Sequence, residues 1–354
     1  MGLSLKVKKP GMSTTVQDFG RWGHQAMGMP VAGAMDPEAL AVANILAGNE
    51  PGSAALEITL LGPELSVEGE GLAAVAGADL GFTVNGNPAP MWTCLSVKTG
   101  DVIAFTGPKG RGCRAVLAFS GGIDVPAVMG SRSTYTRAGI GGFAGRALKA
   151  GDTVACGELP ALWGKTPGFT CPQELRPVRD PEAPIRAVPG PQDDAFTPEG
   201  LETLFGSTYT VTSQADRMGY RMEGPQVAHK AAADIVSDAI PLGAVQVPGH
   251  GQPIVMLADR QTTGGYTKAA VVLTADLAVL AQRLPGEKVR FARATPEEGA
   301  KLLSAMARRI EDLALLRSGY RSRPAEAAPR PRTASGSFGM TVGGKTVTVE
   351  WQEL

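Results

Sequence analysis

The sequence predicts a mainly β fold with a few helices, of the α+β class. Short apolar runs lie close together and are bounded by Gly, Pro or Asn, a pattern typical of β-barrels and sandwiches. Gly and Pro account for 46 and 27 of the 354 residues, so turns are frequent. Only three segments carry clear helix signals. The predicted strands are 55–60, 72–76, 101–106, 114–119, 244–247 and 254–258.

The three predicted helices each begin at a capping residue followed by Pro. Asp36 is the expected N-cap of the first helix, Pro37 occupies its first turn, and Gly48 ends it. A Thr-Pro pair opens the second helix, over 197–206. The third helix begins with the capping-box pattern Thr-Pro-Glu-Glu and carries apolar residues at helical spacing over 295–317.

Two hairpins are predicted. Asn85-Gly86 is a type I′ turn signal between two short strands. A second hairpin is expected over 340–351, close to the end of the chain, where polar and apolar residues alternate. That alternation places three side chains on one face: Val347, Val349 and Trp351.

Composition and charge exclude several classes of partner. Basic and acidic residues balance at 34 each, so we expect no nucleic-acid surface. No apolar run reaches the ~18 residues that span a bilayer, and the N-terminus lacks a signal-peptide core. We therefore expect a cytoplasmic protein without a membrane partner. The four cysteines and three histidines show no metal-ligand spacing, which predicts reduced, buried thiols and no metal site.

The densest set of polar groups lies in 258–266. It joins a carboxylate, a guanidinium, an amide, two hydroxyls and a phenol directly after the apolar run 253–257. A strand that ends in such a set is typical of the floor of a polar pocket, and the pair Gly264-Gly265 lets the backbone approach a ligand closely. A polar turn that satisfies its own backbone is the alternative, and composition alone leaves both open.

Seven polar motifs occur in a fixed order along the chain. They are TTVQDFGR at 14–21, GAMD at 33–36, GGIDVP at 121–126, GSRSTY at 130–135, PGPQDD at 189–194, DRMGYR at 216–221 and DRQTTGGY at 259–266. Together they resemble the KipA-type family, also called the biotin-dependent carboxyltransferase family or allophanate hydrolase subunit 2, which includes a subunit of prokaryotic 5-oxoprolinase. The resemblance covers roughly residues 5–292. It is specific for the family and much less so for the reaction.

The resemblance implies two cyclophilin-like β-barrel lobes. We expect the first lobe at 1–160 and the second at 185–292, joined by a Pro-rich linker at 161–184. A C-terminal helix is expected at 293–318. The remaining residues, 319–354, are expected to form a flexible linker and the terminal hairpin.

The chemistry that the resemblance implies is attack on a small amide, which builds negative charge on the carbonyl oxygen. We assign Asp259 the role of polarising or deprotonating the attacking nitrogen or water. Arg260 or Arg217, with the amide of Gln261, is expected to stabilise the developing charge. Asp259, Arg260 and Gln261 are therefore the predicted catalytic residues.

Further residues are predicted to bind the substrate. Arg217 can clamp a carboxylate or phosphate with two hydrogen bonds, but a surface ion pair with Asp216 or Asp238 is the alternative. The predicted binding residues are Arg217, Tyr220, Thr262, Thr263, Gly264, Gly265, Tyr266, Gln246, Gln252, Arg132, Ser133 and Tyr135.

For function, the resemblance favours a subunit of ATP-dependent 5-oxoprolinase, which opens 5-oxoproline to L-glutamate. It implies a KipI-type partner that shares the active site and a third protein of the LamB/YcsF type. One alternative is the carboxyltransferase component of a biotin-dependent urea or amide carboxylase. The other is a KipA-like regulatory protein that only binds its partner.

The cofactors would lie largely outside this chain. The sequence has no Walker-type phosphate loop, so ATP is expected to bind through the complex. It has no Met-Lys-Met biotinylation signature either, so biotin would be carried on another chain.

Overall fold

The computed structural model describes residues 2–159 and 167–319, and the backbone of 335–342 and 345–352. The chain divides into two units, Met1–Tyr320 and Arg321–Leu354. The predicted mainly β class is confirmed, because strands far outnumber helices in the described part of the chain. Its four helices are α1 (Pro37–Ala47), α2 (Pro198–Gly206), α3 (Thr274–Ala281) and α4 (Pro296–Gly319).

The strands of the first half form two sheets, ordered β11-β1-β4-β9-β6-β7 and β2-β3-β10-β5-β8. They are β1 (Ser4–Lys9), β2 (Ser13–Gln17), β3 (Ala55–Thr59), β4 (Glu64–Glu68), β5 (Glu70–Gly77), β6 (Phe82–Val84), β7 (Asn87–Pro88), β8 (Leu95–Lys98), β9 (Val102–Phe105), β10 (Arg114–Phe119) and β11 (Thr153–Ala155).

A hydrophobic core lies between these two sheets. Ala115, Leu117 and Phe119 of β10 enter it, whereas Val116 and Ala118 face the other side of the sheet. Both faces of β10 are buried because side chains alternate along a strand and α1 covers the second face.

The six-stranded sheet ends at a short edge strand, and the strands of the first half are divided between two sheets. The edge strand β7 contains only two residues, and Pro88 has no N–H with which to extend the ladder. The hairpin that leads into it was predicted correctly. Asn85 and Gly86 have φ values of 54° and 77°, as a type I′ turn requires.

Helix α1 has the predicted bounds. The Asp36 carboxylate accepts a hydrogen bond from the Ala39 N–H at 3.0 Å, and Gly48 ends the helix in the left-handed region at φ 84°. Every residue of α1 after Pro37 is buried. This all-round burial arises because β5 and β10 pack on the helix together with α4.

The second half contains a closed seven-stranded barrel, ordered β12-β19-β16-β17-β14-β13-β20. Parallel pairing of β12 with β20, with Ile185 opposite Phe291, closes the ring. The barrel strands are β12 (Ile185–Pro189), β13 (Thr208–Val211), β14 (Gly219–Glu223), β16 (Ala244–Gln246), β17 (Ile254–Met256), β19 (Lys268–Val272) and β20 (Lys288–Arg293).

A two-stranded ribbon stands beside this barrel. It consists of β15 (Asp234–Ala239) and β18 (Thr263–Tyr266), which pair antiparallel. Ile240, which follows β15, packs with Ala244 of β16 and with Ile254 and Met256 of β17. Since Val245 and Val255 point into the barrel, the ribbon connects to the outer face of β16 and β17.

One helix was not predicted from the sequence. Helix α3 was not predicted because it is short and apolar on most sides. Its N-cap residue, Leu273, has no side chain that could cap the helix. The described part of the expected linker, 167–184, packs on the first half. There Phe169 and Cys171 join the core beneath α1.

The terminal hairpin was predicted and is present. Strands β21 (Ser335–Val342) and β22 (Lys345–Gln352) pair antiparallel along their whole length. The predicted shared face of Val347, Val349 and Trp351 concerns side chains that lie outside the described residues.

Two further sequence expectations can be compared with the described residues. All four cysteines are free and buried, as predicted. No helix in the described ranges combines the length and the apolarity that crossing a bilayer requires.

The packing of α4 on α1 generates a stability prediction. Leu313 is fully buried against α1, whereas Leu315 on the same helix is 70% exposed. We expect Leu313→Ala to lower the free energy of unfolding by about 2–5 kcal/mol through lost burial and a residual cavity. The matched control Leu315→Ala should change it by less than about 0.5 kcal/mol. Urea denaturation measures both, and equal effects would contradict the packing described.

Candidate functional site

The predicted catalytic carboxylate Asp259 follows β17 and is buried, with 4% of the residue exposed. It accepts two hydrogen bonds from Arg217, from Nε at 3.1 Å and from Nη2 at 2.9 Å. Its own N–H donates to the Arg217 carbonyl at 2.9 Å. Side chain and backbone therefore fix Asp259 against Arg217.

Arg217 also binds the first half of the chain. Its guanidinium forms a salt bridge with Glu57 of β3 and donates to the Gly33 carbonyl at 2.6 Å. Glu57 is 2% exposed and accepts from the Met35 N–H at 2.6 Å. One guanidinium thus connects two buried carboxylates that are far apart in sequence.

The surface ion pair considered for Arg217 is not formed. Asp216 pairs with Arg137 at 3.3 Å, and Asp238 pairs with Lys268 at 3.1 Å. Burial alone would lower the pKa of Arg217, but the negative charges of Asp259 and Glu57 outweigh it and raise the pKa above its usual value. Arg217 is therefore a permanent cation in this network.

Arg260 is buried without a carboxylate partner among the described residues. Its Nε donates to the Ile240 carbonyl at 2.9 Å, and Nη1 donates to the Leu257 carbonyl at 3.4 Å. Burial lowers the pKa of Arg260 to about 10, so the group stays protonated at neutral pH. The contact with Ile240 links the turn after β17 to the end of β15.

Gln261 and Gln246 lie in the wall of a cleft of about 530 Å³ on the outer face of the barrel. Gln246 ends β16 and is 2% exposed. Its Nε2 and the Oε1 of Gln261 are buried without a hydrogen-bond partner among the described residues. A Cβ built on Gly264 would lie 3.1 Å from Gln246 Nε2 and 3.4 Å from Gln261 Nε2, so this glycine gives both amides their space.

The rest of the cleft includes charged groups and one more predicted residue. Tyr266, 41% exposed, lines it from the ribbon. Arg221 of β14 and the Arg137–Asp216 ion pair supply its charges. His250 lines it too, and its Nδ1 accepts from the Gln252 N–H at 3.2 Å.

Sequence reasoning missed Arg221, Arg137 and His250 as lining residues. Alternation in β14 provided a signal for Arg221, because its neighbours Tyr220 and Met222 point into the barrel. Arg137 comes from the first half, and no local pattern indicates that it meets Asp216.

Several predicted binding residues lie outside the cleft. The Tyr220 hydroxyl lies 2.6 Å from Arg114 Nη1 and 3.1 Å from the Ala281 carbonyl, inside the protein. Gln252 makes two hydrogen bonds to the backbone of Gly224. The remaining ribbon and turn residues are absent from the cleft lining: Thr262, Thr263, Gly264 and Gly265.

Two of the residues predicted from the motif at 130–135, Arg132 and Ser133, bind Asp18. The Asp18 carboxylate accepts from the Ser133 hydroxyl and from the Arg132 N–H at 2.5 Å. Tyr135 is partly buried; burial raises the pKa of its phenol, and the negative charge of Asp259 adds to this effect. Arg132, Ser133 and Tyr135 do not line the cleft.

No group of three or more His, Cys, Asp or Glu side chains in the part of the chain that the structure describes is arranged to hold a metal ion.

A family model, named relatives and a solved structure each match most of this chain. The family model for the carboxyltransferase domain, subdomains A and B, matches residues 27–293. The chain is 39% identical over 312 residues to a 5-oxoprolinase subunit of Escherichia coli, covering 88% of this chain and 97% of that protein. It is 32% identical over 332 residues to urea amidolyase of Lachancea kluyveri, covering 88% of this chain but 18% of that protein. The crystal structure of K. lactis urea amidolyase matches with a TM-score of 0.81 at 31% identity, over 88% of this chain and 20% of that one.

The buried network around Arg217 generates a second prediction. We expect Asp259→Asn to lower the free energy of unfolding by about 3 kcal/mol. This value is the lower end of the range for breaking a buried ion pair, because Glu57 still neutralises Arg217. The matched control is Asp216→Asn, since the side chains of Asp216 and Arg137 are each 56% exposed, and it should cost less than about 1 kcal/mol. Urea denaturation compares the two variants. An Asp259→Asn protein as stable as the control would show that the network is not structural.

Proposed function

This chain belongs to the family of carboxyltransferase domains with subdomains A and B, and from that premise we propose that it is a subunit of 5-oxoprolinase. The resemblance stated from the sequence motifs is confirmed by the family match. In the proposed reaction, 5-oxoproline is opened to L-glutamate at the expense of ATP. The relative named as a 5-oxoprolinase subunit supports this substrate, since this chain covers 97% of its length.

The observation that carries the proposal is the pair of unsatisfied carboxamides in the cleft. A buried polar atom without a partner costs free energy, so such atoms are expected to meet a ligand or water. Each side-chain amide carries both a donor and an acceptor, and the buried atom of each lacks a partner among the described residues. A cyclic amide carries the complementary C=O acceptor and N–H donor.

The cleft also suits the remaining groups of the substrate. The carboxylate of 5-oxoproline would pair with Arg221, because Arg137 is already paired with Asp216. When the amide carbonyl is attacked, negative charge grows on its oxygen, and the Gln246 donor would stabilise that charge. Asp259 and Arg260 then act as positioning residues, which hold the turn that carries Gln261.

The other components remain part of the proposal. A KipI-type protein would complete the active site, a LamB/YcsF-type protein would join the pair, and ATP would bind in that complex. The naming of that relative as an enzyme subunit supports a multi-chain enzyme. We place no ATP in the cleft of this chain, because the sequence has no Walker-type loop to hold its phosphates.

Carboxyl transfer from biotin is the second candidate, favoured by the urea amidolyase relatives and by the family description. Biotin carries a ureido group with the same donor and acceptor pattern as a cyclic amide, so Gln246 and Gln261 fit it as well. Carboxybiotin on another chain would supply the carboxyl group, and this cleft would orient the ureido ring.

A regulatory protein that only binds its KipI-type partner is the third candidate. The unsatisfied amides are evidence against it, because a protein that only binds its partner does not need them.

Reconstitution tests the proposal. We expect that co-expression with KipI-type and LamB/YcsF-type proteins gives ATP-dependent glutamate from 5-oxoproline, lost when this chain is omitted. Gln246→Met and Gln261→Met keep side-chain length but cannot form the proposed hydrogen bonds, so each should slow glutamate formation about tenfold to a hundredfold.

The matched control is Gln173→Met, because Gln173 is exposed and lies outside the cleft. It should leave the rate unchanged. A stable complex that forms no glutamate would refute the oxoprolinase assignment, and urea-dependent consumption of carboxybiotin would then support carboxyl transfer.

A further inference from the structure

A second cavity, of about 210 Å³, lies apart from the cleft. Its wall combines the loop after β5, the residue Gly112 before β10, the segment 177–181 and the end of α3. None of its lining residues lines the cleft around Gln246 and Gln261. Both halves of the chain and the segment between them therefore contribute to it.

Arg283 is the unusual residue of this cavity. It is 5% exposed, and its Nε is buried without a partner. Its guanidinium makes no hydrogen bond or ion pair within the ranges that the structure describes. Burial lowers the pKa of Arg283, and the carboxylates of Glu287, Glu182 and Asp180 offset this only in part. Burying a cation that has no hydrogen-bond or ion-pair partner costs free energy unless an anion or water binds it.

The other two arginines of the cavity are already neutralised. Arg179 pairs with Asp36 at 2.7 Å and with Glu38 at 3.1 Å. Arg111 pairs with Glu182 in an exposed salt bridge. Arg283 is thus the cation of this cavity that is left for a ligand.

The remaining lining limits the kind of anion. Ala78, Trp92, Pro177, Pro181 and Val279 form an apolar surface. Trp92 has a φ of 60°, a conformation that costs free energy for a bulky residue and is characteristic of ligand-binding sites. The acidic residues Asp79 and Glu287 also line the cavity, and they would repel a second negative charge on the ligand.

We propose that this cavity binds a small monocarboxylate, with its carboxylate on Arg283 and its apolar body against Trp92 and the prolines. The site is separate from the amide cleft, so it does not depend on the reaction proposed above. Because both halves line it, a bound carboxylate would stabilise their contact.

Calorimetric titration of the full chain with benzoate and butyrate tests this proposal. We expect benzoate to bind and the uncharged analogue benzamide to bind about tenfold more weakly, since a hydrogen-bonded charge is lost. Arg283→Met should weaken benzoate binding by about tenfold or more. The control Arg111→Met should change it by less than about threefold, because that arginine lies in an exposed ion pair.

Thermal unfolding without ligand provides the second measurement. Arg283→Met should melt no lower than the parent chain, because it removes an unpaired buried cation. If Arg283 only stabilises the C-terminal end of α3, the variant will melt lower and benzoate binding will not change, which overturns the proposal. Equal binding of benzamide, binding of inorganic phosphate alone, or no binding at millimolar benzoate would each overturn it as well.

Discussion

The guanidinium of Arg217 joins the two halves of the chain through charge. It lies between Glu57 of β3 and Asp259 after β17, and both carboxylates are almost fully buried. Each of these ions would be costly to bury without a partner of opposite charge, and Arg217 is the partner of both carboxylates. The turn that carries Arg260 and Gln261 is held by this network, and the amide cleft therefore depends on an interaction that lies outside it.

Much of the fold could be predicted because its signals are local. The capping residues Asp36 and Thr197 fix the starts of α1 and α2, since each side chain accepts a hydrogen bond from the first turn. The Asn-Gly turn fixes a hairpin by backbone conformation alone. Helix α3 has neither kind of signal, and tertiary packing against the barrel core decides it.

The geometry of the candidate cleft could not be predicted in this way, because it depends on contacts between distant residues. Gln246, Gln261 and Tyr266 were predicted and do line one cleft. The sequence motif at 259–266 could not indicate that Asp259 pairs with Arg217, 42 positions away. It also could not separate the side chains that point outward from those that enter the barrel, because that requires the strand register.

The ribbon beside the cleft has a consequence for solubility. Strand β15 pairs with β18 on one side only within the described residues, which leaves a row of backbone groups open to pairing with another chain. Val236 on this strand is 92% exposed and would favour such pairing. Asp234 and Asp238 flank it, and the pairing register shifts between them. The charge of Asp234 and the irregular register both oppose the addition of a further strand at this edge.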